Sequence, residues 1–326
     1  MRYQFEFRPY RRQFKHPLQT SHGTWTVREG IILRLSDEGR VGWGEIAPIS
    51  WFGSETLEQA LNFCHQLPTE ITRETIFSIP STLPACQFGF ESAWEEMEKR
   101  AGEAGEAGGE KRRIRSCGLL SAGEAALEQW ESLWNRGYRT LKWKIGVAPL
   151  RVELEIFHRL VQSLPASAQL RLDANGGLSL EEAHKWLGVC DRLAQAESLT
   201  LLEFLEQPLP VTQFDAMLEL NECYLTQLAL DESVATLEQL ESSYYQGWRG
   251  IFVIKPCIAG SPLRLRQFCH KHKIDAVFSS GFETAIGREA ALQLATELSI
   301  YGRAVGFGTD CWFDEYETPE LLWNNL

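Results

Sequence analysis

From Arg115 onward this 326-residue chain repeats one pattern, a short apolar run that stops on a charged residue. Thr140-Leu141-Lys142-Trp143-Lys144-Ile145-Gly146 carries two lysines two residues apart. Leu170-Arg171-Leu172 stops on Asp173, Leu201 to Leu205 on Glu206, Leu228-Ala229-Leu230 on Asp231, and Ile251-Phe252-Val253-Ile254 on Lys255. Apolar runs of this length, separated by amphipathic stretches, read as buried strands joined by helical crossovers. Strands are expected at 115–120, 140–145, 169–173, 201–206, 227–231, 250–255, 275–280 and 304–308. Helical spacing covers Glu124–Asn135, Leu150–Leu164, Leu180–Ala196, Pro262–His272 and Thr284–Leu298. Eight strands alternating with helices predict an α/β chain folded as a (β/α)8-type TIM barrel. An open doubly wound sheet would need a nucleotide fingerprint after its first strand, and Cys117-Gly118-Leu119-Leu120-Ser121 is not one.

The first hundred residues have a different texture. Tyr3-Gln4-Phe5-Glu6-Phe7 alternates, and Thr24 to Leu35 is rich in β-branched and aromatic residues. Ser36-Asp37-Glu38-Gly39 is a turn signal, and Glu55–Leu67 and Ala85–Arg100 have helical spacing. Residues 1–100 therefore read as an α+β capping domain. Ala101-Gly102-Glu103-Ala104-Gly105-Glu106 opens a Gly/Glu-rich linker over 101–112, without the Gly-Lys-Ser/Thr ending of a phosphate loop. The barrel then spans 113–309, and the aromatic-rich tail 310–326 is expected to pack back on the cap.

Composition narrows the partners. With 32 Lys and Arg against 44 Asp and Glu, the net charge of -12 disfavours a nucleic-acid backbone. The eight cysteines form no C-x-x-C pair, and Met1 to Arg8 lacks an apolar signal region. No apolar run is long enough to span a bilayer, so a cytoplasmic chain with reduced thiols and no membrane partner is expected.

Catalytic residues of parallel barrels gather at the C-terminal ends of the strands. Asp173, Glu206 and Asp231 close three successive runs, which would bring three carboxylates to one rim. Such a trio repels itself unless a cation compensates, and all-oxygen ligation suits Mg2+, with Mn2+ as a substitute. A lone acid at a strand end is more often a solvated residue or a helix cap; three in succession are not. Lys142 and Lys144, two apart, point to the same face of their strand, and Lys255 ends a strand across the ring. Crowding of cations lowers an ammonium pKa and turns one lysine into a usable base.

This constellation resembles the enolase superfamily, and more narrowly its branch related to muconate lactonising enzyme. Arg171-Leu172-Asp173-Ala174-Asn175, Glu206-Gln207-Pro208, Asp231-Glu232-Ser233, Lys255-Pro256 and Phe278-Ser279-Ser280-Gly281-Phe282-Glu283-Thr284 are similar to the pattern of the o-succinylbenzoate synthase family. The resemblance implies a lyase that dehydrates 2-succinyl-6-hydroxy-2,4-cyclohexadiene-1-carboxylate in menaquinone or phylloquinone synthesis. It implies Lys144 as base and acid, Lys142 as its tuning neighbour and Lys255 as a cation on the other face. Asp173, Glu206 and Asp231 would hold Mg2+, and Asn175 would support them from behind. Arg171, Ser279, Ser280 and Gly281 would contact substrate. Trp51-Phe52-Gly53-Ser54 and Lys15–Thr24 are candidate lid loops. The same lysines also suit a relative that racemises N-acylamino acids or epimerises dipeptides. Gly306-Phe307-Gly308-Thr309-Asp310-Cys311, however, departs from the Asp-x-Asp with which the epimerases hold an amine. A non-catalytic binding barrel is disfavoured because none of the six key positions is lost. His270 and His272, in the Lys-His-Lys region before the seventh strand, do not match the histidine of mandelate-racemase-like relatives.

Overall fold

The computed structural model describes residues 1–20, 23–102, 114–195, 202–308, 313 and 318–326. Period-two alternation draws the first residues into strands β1 (Arg2–Thr20), β2 (Gly23–Asp37) and β3 (Arg40–Ile46). Helix α1 (Leu57–Gln66) leads to β4 (Glu70–Thr72), and the antiparallel sheet is ordered β3-β2-β1-β4. Helices α2 (Arg73–Phe77) and α3 (Pro84–Gly102) follow. The backbones of α3 and β3 nearly touch: a Cβ on Gly44 would lie 2.1 Å from the Gly89 carbonyl oxygen. Two expectations shift here. Lys15–Thr20 is strand rather than loop, because β1 resumes pairing at Leu18 opposite Trp25 after a register shift. Ala101 and Gly102 still belong to α3, and the rest of the expected linker lies outside the described residues.

The second sheet is parallel and seven-stranded, running from β5 to β11 in chain order. Its strands are β5 (Cys117–Leu120), β6 (Thr140–Lys144), β7 (Gln169–Asp173), β8 (Leu202–Glu206), β9 (Leu228–Leu230), β10 (Ile251–Ile254) and β11 (Ala276–Phe278). Helices α4 (Ala126–Asn135), α5 (Leu150–Ser163), α6 (Leu180–Gln195), α7 (Phe214–Cys223) and α8 (Leu237–Tyr245) fill the successive crossovers. After β10 come α9 (Pro256–Ala259) and α10 (Pro262–His272), and after β11 comes α11 (Ala285–Leu298). The eighth strand expected at 304–308 is not a regular strand. Only Val305 and Gly306 pair, through parallel bridges to Ser116 and Ser279, which link the two edges of the sheet. The chain threads tightly there: a Cβ on Gly306 would meet Ser279 Oγ at 2.5 Å, and one on Gly308 the Cys117 carbonyl oxygen at 2.4 Å.

Parity places the side chains. Outward-facing Leu141, Trp143 and Ile145 join the main core under the helices, where α5 contributes Ile156, Phe157 and Leu160 at helical spacing. Inward-facing Phe204, Ala229, Ile251, Val253 and Val277 form a separate cluster inside the sheet. The cap is tied to this body by polar groups at helix starts: Glu91 accepts from the Leu263 amide at 3.1 Å, and Gln87 from that of Ser261 at 3.1 Å. Arg266 pairs with Glu95 across the same joint. Helix α12 (Pro319–Asn325) lays Leu322 and Trp323 on Tyr10, Ile32 and Trp43 of the cap sheet.

At the N-terminal end of the strands a buried ion network closes the floor. Leu170 pairs with Leu202 but Arg171 pairs with Phe204, so Glu203 is an extra residue that a bulge turns inward. Its carboxylate accepts from Arg171 Nε and Arg303 Nη1, both at 2.7 Å, and Arg303 also binds Asp275 at 2.7 Å. Burial would raise the Glu203 pKa, but Arg171 and then Arg303 outweigh it and hold it below the usual range. A carboxylate depressed by folding stabilises above its unfolded pKa of about 4.3 and loses that contribution as pH falls through its folded value. Glu203→Gln should therefore cost about 3 kcal/mol at pH 7, because Arg171 is left buried and unpaired. In urea unfolding the gap to wild type should persist down to about pH 4.5 and shrink below about pH 4.

Candidate active site

Register brings the predicted residues together. Lys144, Asp173 and Glu206 are direct neighbours in one row across β6, β7 and β8, and Lys142 lies beside Arg171 in the row beneath. Asp231 follows β9 and Lys255 follows β10, so both emerge at the same end of the sheet. The three acids are 6%, 1% and 3% exposed in chain order, which makes their charge costly unless it is compensated.

Two of the lysines compensate it. Lys142 Nζ lies 2.7 Å from both Asp173 Oδ2 and Glu206 Oε1, and Lys255 Nζ pairs with Asp231 Oδ1. Lys255 also sits 3.9 Å from the centre of the Phe52 ring, a second stabilising contact for an ammonium. Among the described residues Lys144 has no ion-pair partner. Lys142 is not a lysine with a depressed pKa. Burial lowers it, but Asp173, Glu206 and Asp231 outweigh burial and raise it well above the ordinary value. For the acids the balance differs. Burial raises Asp173, yet Lys142 keeps it below the usual range. Glu206 is pushed up to about 8 by burial and by Asp173, and Asp231 to about 6 by burial against the pull of Lys255.

The charge left over bears on a metal. Among the described residues no group of three or more acidic, histidine or cysteine side chains is drawn in around one point, because ammonium groups separate these carboxylates. The donors nevertheless fit a hard divalent cation: three buried carboxylates at adjacent strand ends, two of them pushed up by burial and by neighbouring acids that a cation would offset. Glu232 adds a buried carboxylate oxygen, Oε2, with no hydrogen-bond partner on the same cavity wall. Asn175 braces two of these acids, its backbone amide donating to Asp173 Oδ1 at 3.1 Å and its side chain to Glu232 Oε1 at 3.1 Å.

Gln207 carries more than its place in a motif suggested. It is fully buried, and its carbonyl oxygen accepts from the amides of Asp231 at 3.0 Å and Ser233 at 3.2 Å, locking the end of β8 to that of β9. Both Asn175 and Gln207 adopt positive φ, 44° and 36°, so two of the supports behind the acids are held in sparsely populated backbone conformations. Arg171 departs from its expected role in part. It lines the cavity, but its guanidinium is engaged by Glu203 and lies over the Phe204 ring, which makes it a floor.

The acids and lysines open on a cavity of about 580 Å³, within the range of small-molecule sites. Its far wall is Ser279, Ser280, Gly281 and Phe282, and its roof is Leu18, Trp25, Trp51 and Phe52 of the cap. Ser280 Oγ and the Gly281 amide both donate to Glu283, at 3.0 and 2.6 Å, so these two expected carboxylate contacts are already engaged. Ser279 Oγ is held only loosely, 3.5 Å from the Gly306 carbonyl. Of the candidate lids, Leu18, Trp51 and Phe52 line the roof and Gly53 and Ser54 do not; Trp25, just beyond the first stretch, reaches it through its hairpin pairing with Leu18. His272 packs against Tyr244 and Phe268, and neither it nor His270 lines the cavity.

Residues 125–320 match the family described as enolase C-terminal domain-like, and residues 10–97 match the MenC N-terminal domain. An o-succinylbenzoate synthase of Thermosynechococcus vestitus is 42% identical over 99% of this chain and 99% of its own. The crystal structure of o-succinylbenzoate synthase from Thermosynechococcus elongatus BP-1, complexed with Mg in the active site, superposes with a TM-score of 0.89. It is 39% identical and the match covers 99% of this chain and 100% of that one. The L-Ala-D/L-Glu epimerase of Bacillus subtilis, 20% identical with a TM-score of 0.75 over 96% and 91% of the two chains, shares the fold. By sequence over its whole length and by the fold that carries its site, this chain belongs to the o-succinylbenzoate synthase family of enolase C-terminal domain-like proteins.

Proposed function

We propose that this protein catalyses the Mg2+-dependent syn-dehydration of 2-succinyl-6-hydroxy-2,4-cyclohexadiene-1-carboxylate to 2-succinylbenzoate, a cytoplasmic step toward menaquinone or phylloquinone. The observation that carries the reading is the row Lys144–Asp173–Glu206, with Lys255 ending a strand on the other side of the acids. In that row Lys144 has no ion-pair partner among the described residues, whereas Lys255 is paired with Asp231, and both line the carboxylate-bearing cavity. We also infer that the parallel sheet works as a closed eight-membered barrel over 113–309, capped by residues 1–100.

Asp173, Glu206 and Asp231 would hold Mg2+, which supplies a positive charge for the substrate carboxylate as its α-proton leaves. Lys144 takes that proton from the ring carbon. As the neighbouring C–O bond breaks, Lys144 returns a proton to the departing hydroxyl on the same face, and water leaves. Aromatisation of the ring drives this second half. Lys142 is bound by two carboxylates and shapes the field at Lys144. Lys255, tied to Asp231 and the Phe52 ring, contributes charge on the opposite face. Ser279 is the hydroxyl left to meet the succinyl carboxylate, while Trp25, Trp51 and Phe52 exclude water from above.

Two measurements test this. Chelator-treated protein should keep its circular dichroism and lose turnover, and Mg2+ should restore it. Mn2+ binding followed by electron paramagnetic resonance should be lost in Asp231→Asn; full turnover after exhaustive metal removal would refute the reading. Lys144→Arg keeps the charge but cannot deprotonate, and should cost about 10²–10⁴-fold in kcat. Lys255→Arg should cost much less. Equal losses in both variants, with solvent-deuterium exchange abolished in both, would favour two-base racemisation of an N-acylamino acid instead.

A further inference from the structure

The wall of the cavity opposite the metal ligands contains an unusual residue. Phe282 has φ of 61°, a left-handed conformation that a bulky side chain rarely adopts and that must be held by its surroundings. Its amide donates to Ser280 Oγ at 3.0 Å, and its ring meets those of Phe14 and Trp25 edge-on at 5.6 and 5.7 Å. Its carbonyl accepts from Arg28 Nε at 3.3 Å.

Arg28 is a cap residue on β2 and only 1% exposed. A guanidinium at such a depth must spend its donors on acceptors. Nη1 donates to the carbonyls of Glu29 and Pro48, both at 2.8 Å, and Nη2 to that of Ala47. One planar cation thus joins three places: its own strand, the loop leading to Trp51 and Phe52, and the wall at Phe282. No carboxylate shares it in these contacts; its positive charge is met by these carbonyl dipoles and by the face of the Trp25 ring, 5.4 Å away.

The other flank of the wall is held by the opposite charge from the same sheet. Glu45 on β3 is 1% exposed and accepts from Tyr10 Oη at 2.6 Å. It also accepts from the amides of Thr284 and Gly287, both at 2.9 Å, and from Thr284 Oγ1. Thr284 does not cap α11 with its own side chain; the cap domain's carboxylate does so. The segment 282–287 is therefore gripped on one side by a buried cation and on the other by a buried anion.

We propose that Arg28 is a positioning residue for substrate binding: by holding the Phe282 carbonyl it fixes the 279–282 wall and aligns it with the Trp51–Phe52 roof. The consequence for catalysis rests on the proposed function; the mechanical claim does not. Arg28→Met should raise KM for the cyclohexadiene about tenfold while kcat and Mn2+ affinity stay within about twofold. Arg28→Lys should recover part of the loss. Phe282→Gly removes the Cβ that makes φ of 61° costly, so on that background Arg28→Met should change KM by less than about twofold. Hydrogen exchange should show amides 279–287 losing protection in both Arg28 variants, with those of 251–254 unchanged. If Arg28→Met does not fold, Arg28→Lys serves for the same comparisons. Unchanged exchange at 279–287, or a KM penalty undiminished on the Phe282→Gly background, overturns the proposal. A wild-type protein that does not turn over the cyclohexadiene refutes the reaction, and exchange alone then decides Arg28.

Discussion

Three carboxylates buried within one cavity repel one another, and much of the structure is arranged around that repulsion. Lys142 lies between Asp173 and Glu206, Lys255 answers Asp231, and Asn175 and Gln207 brace the strand ends from behind. The compensation is incomplete. Glu206 and Asp231 remain pushed up to about 8 and about 6, and Glu232 keeps an oxygen with no partner. Buried carboxylates whose ionisation is resisted by burial and by one another are relieved by a hard divalent cation. The same acids sort the lysines by contact: Lys142 and Lys255 are paired with carboxylates, and among the described residues Lys144 has no ion-pair partner.

The floor and the roof are made by different means. Below, Arg171 and Arg303 against Glu203 and Asp275 close the strand starts with two cations and two anions. Above, the cap supplies rings, with Trp25 meeting Trp51 at 4.8 Å and Phe52 over Lys255. Charges at the floor fix the position of the strands, and the apolar roof removes water from a reaction that develops charge. Between them runs the joint between the cap and the parallel sheet with its helices, where Glu45, Gln87 and Glu91 each satisfy the start of a helix or its approach in the other layer. The cap is thus anchored to that layer by satisfied backbone groups.

Most of the site was legible in the chain because a strand exposes its logic at period two. Lys142 and Lys144 had to share a face, and so did Arg171 and Asp173; pairing then set Lys144, Asp173 and Glu206 in one row. The regular strands were legible for the same reason. The eighth was not, since Ala304 to Gly308 carries a strand-like pattern but pairs only through single bridges at Val305 and Gly306.

The sequence by itself determined which side chains face inward, which acids end the strands and where the lysines stand, because these follow from local alternation. Only the tertiary structure decided what each charge is paired with. Counting back from Glu206 by twos points Glu203 outward, and a one-residue bulge reverses it into the floor beneath Arg171. Arg28 and Phe282 are separated by 254 residues, and nothing in the neighbourhood of either reveals the other. Alternation is local, but the partners of a buried ion are set by whichever distant segment the packing brings within hydrogen-bond reach.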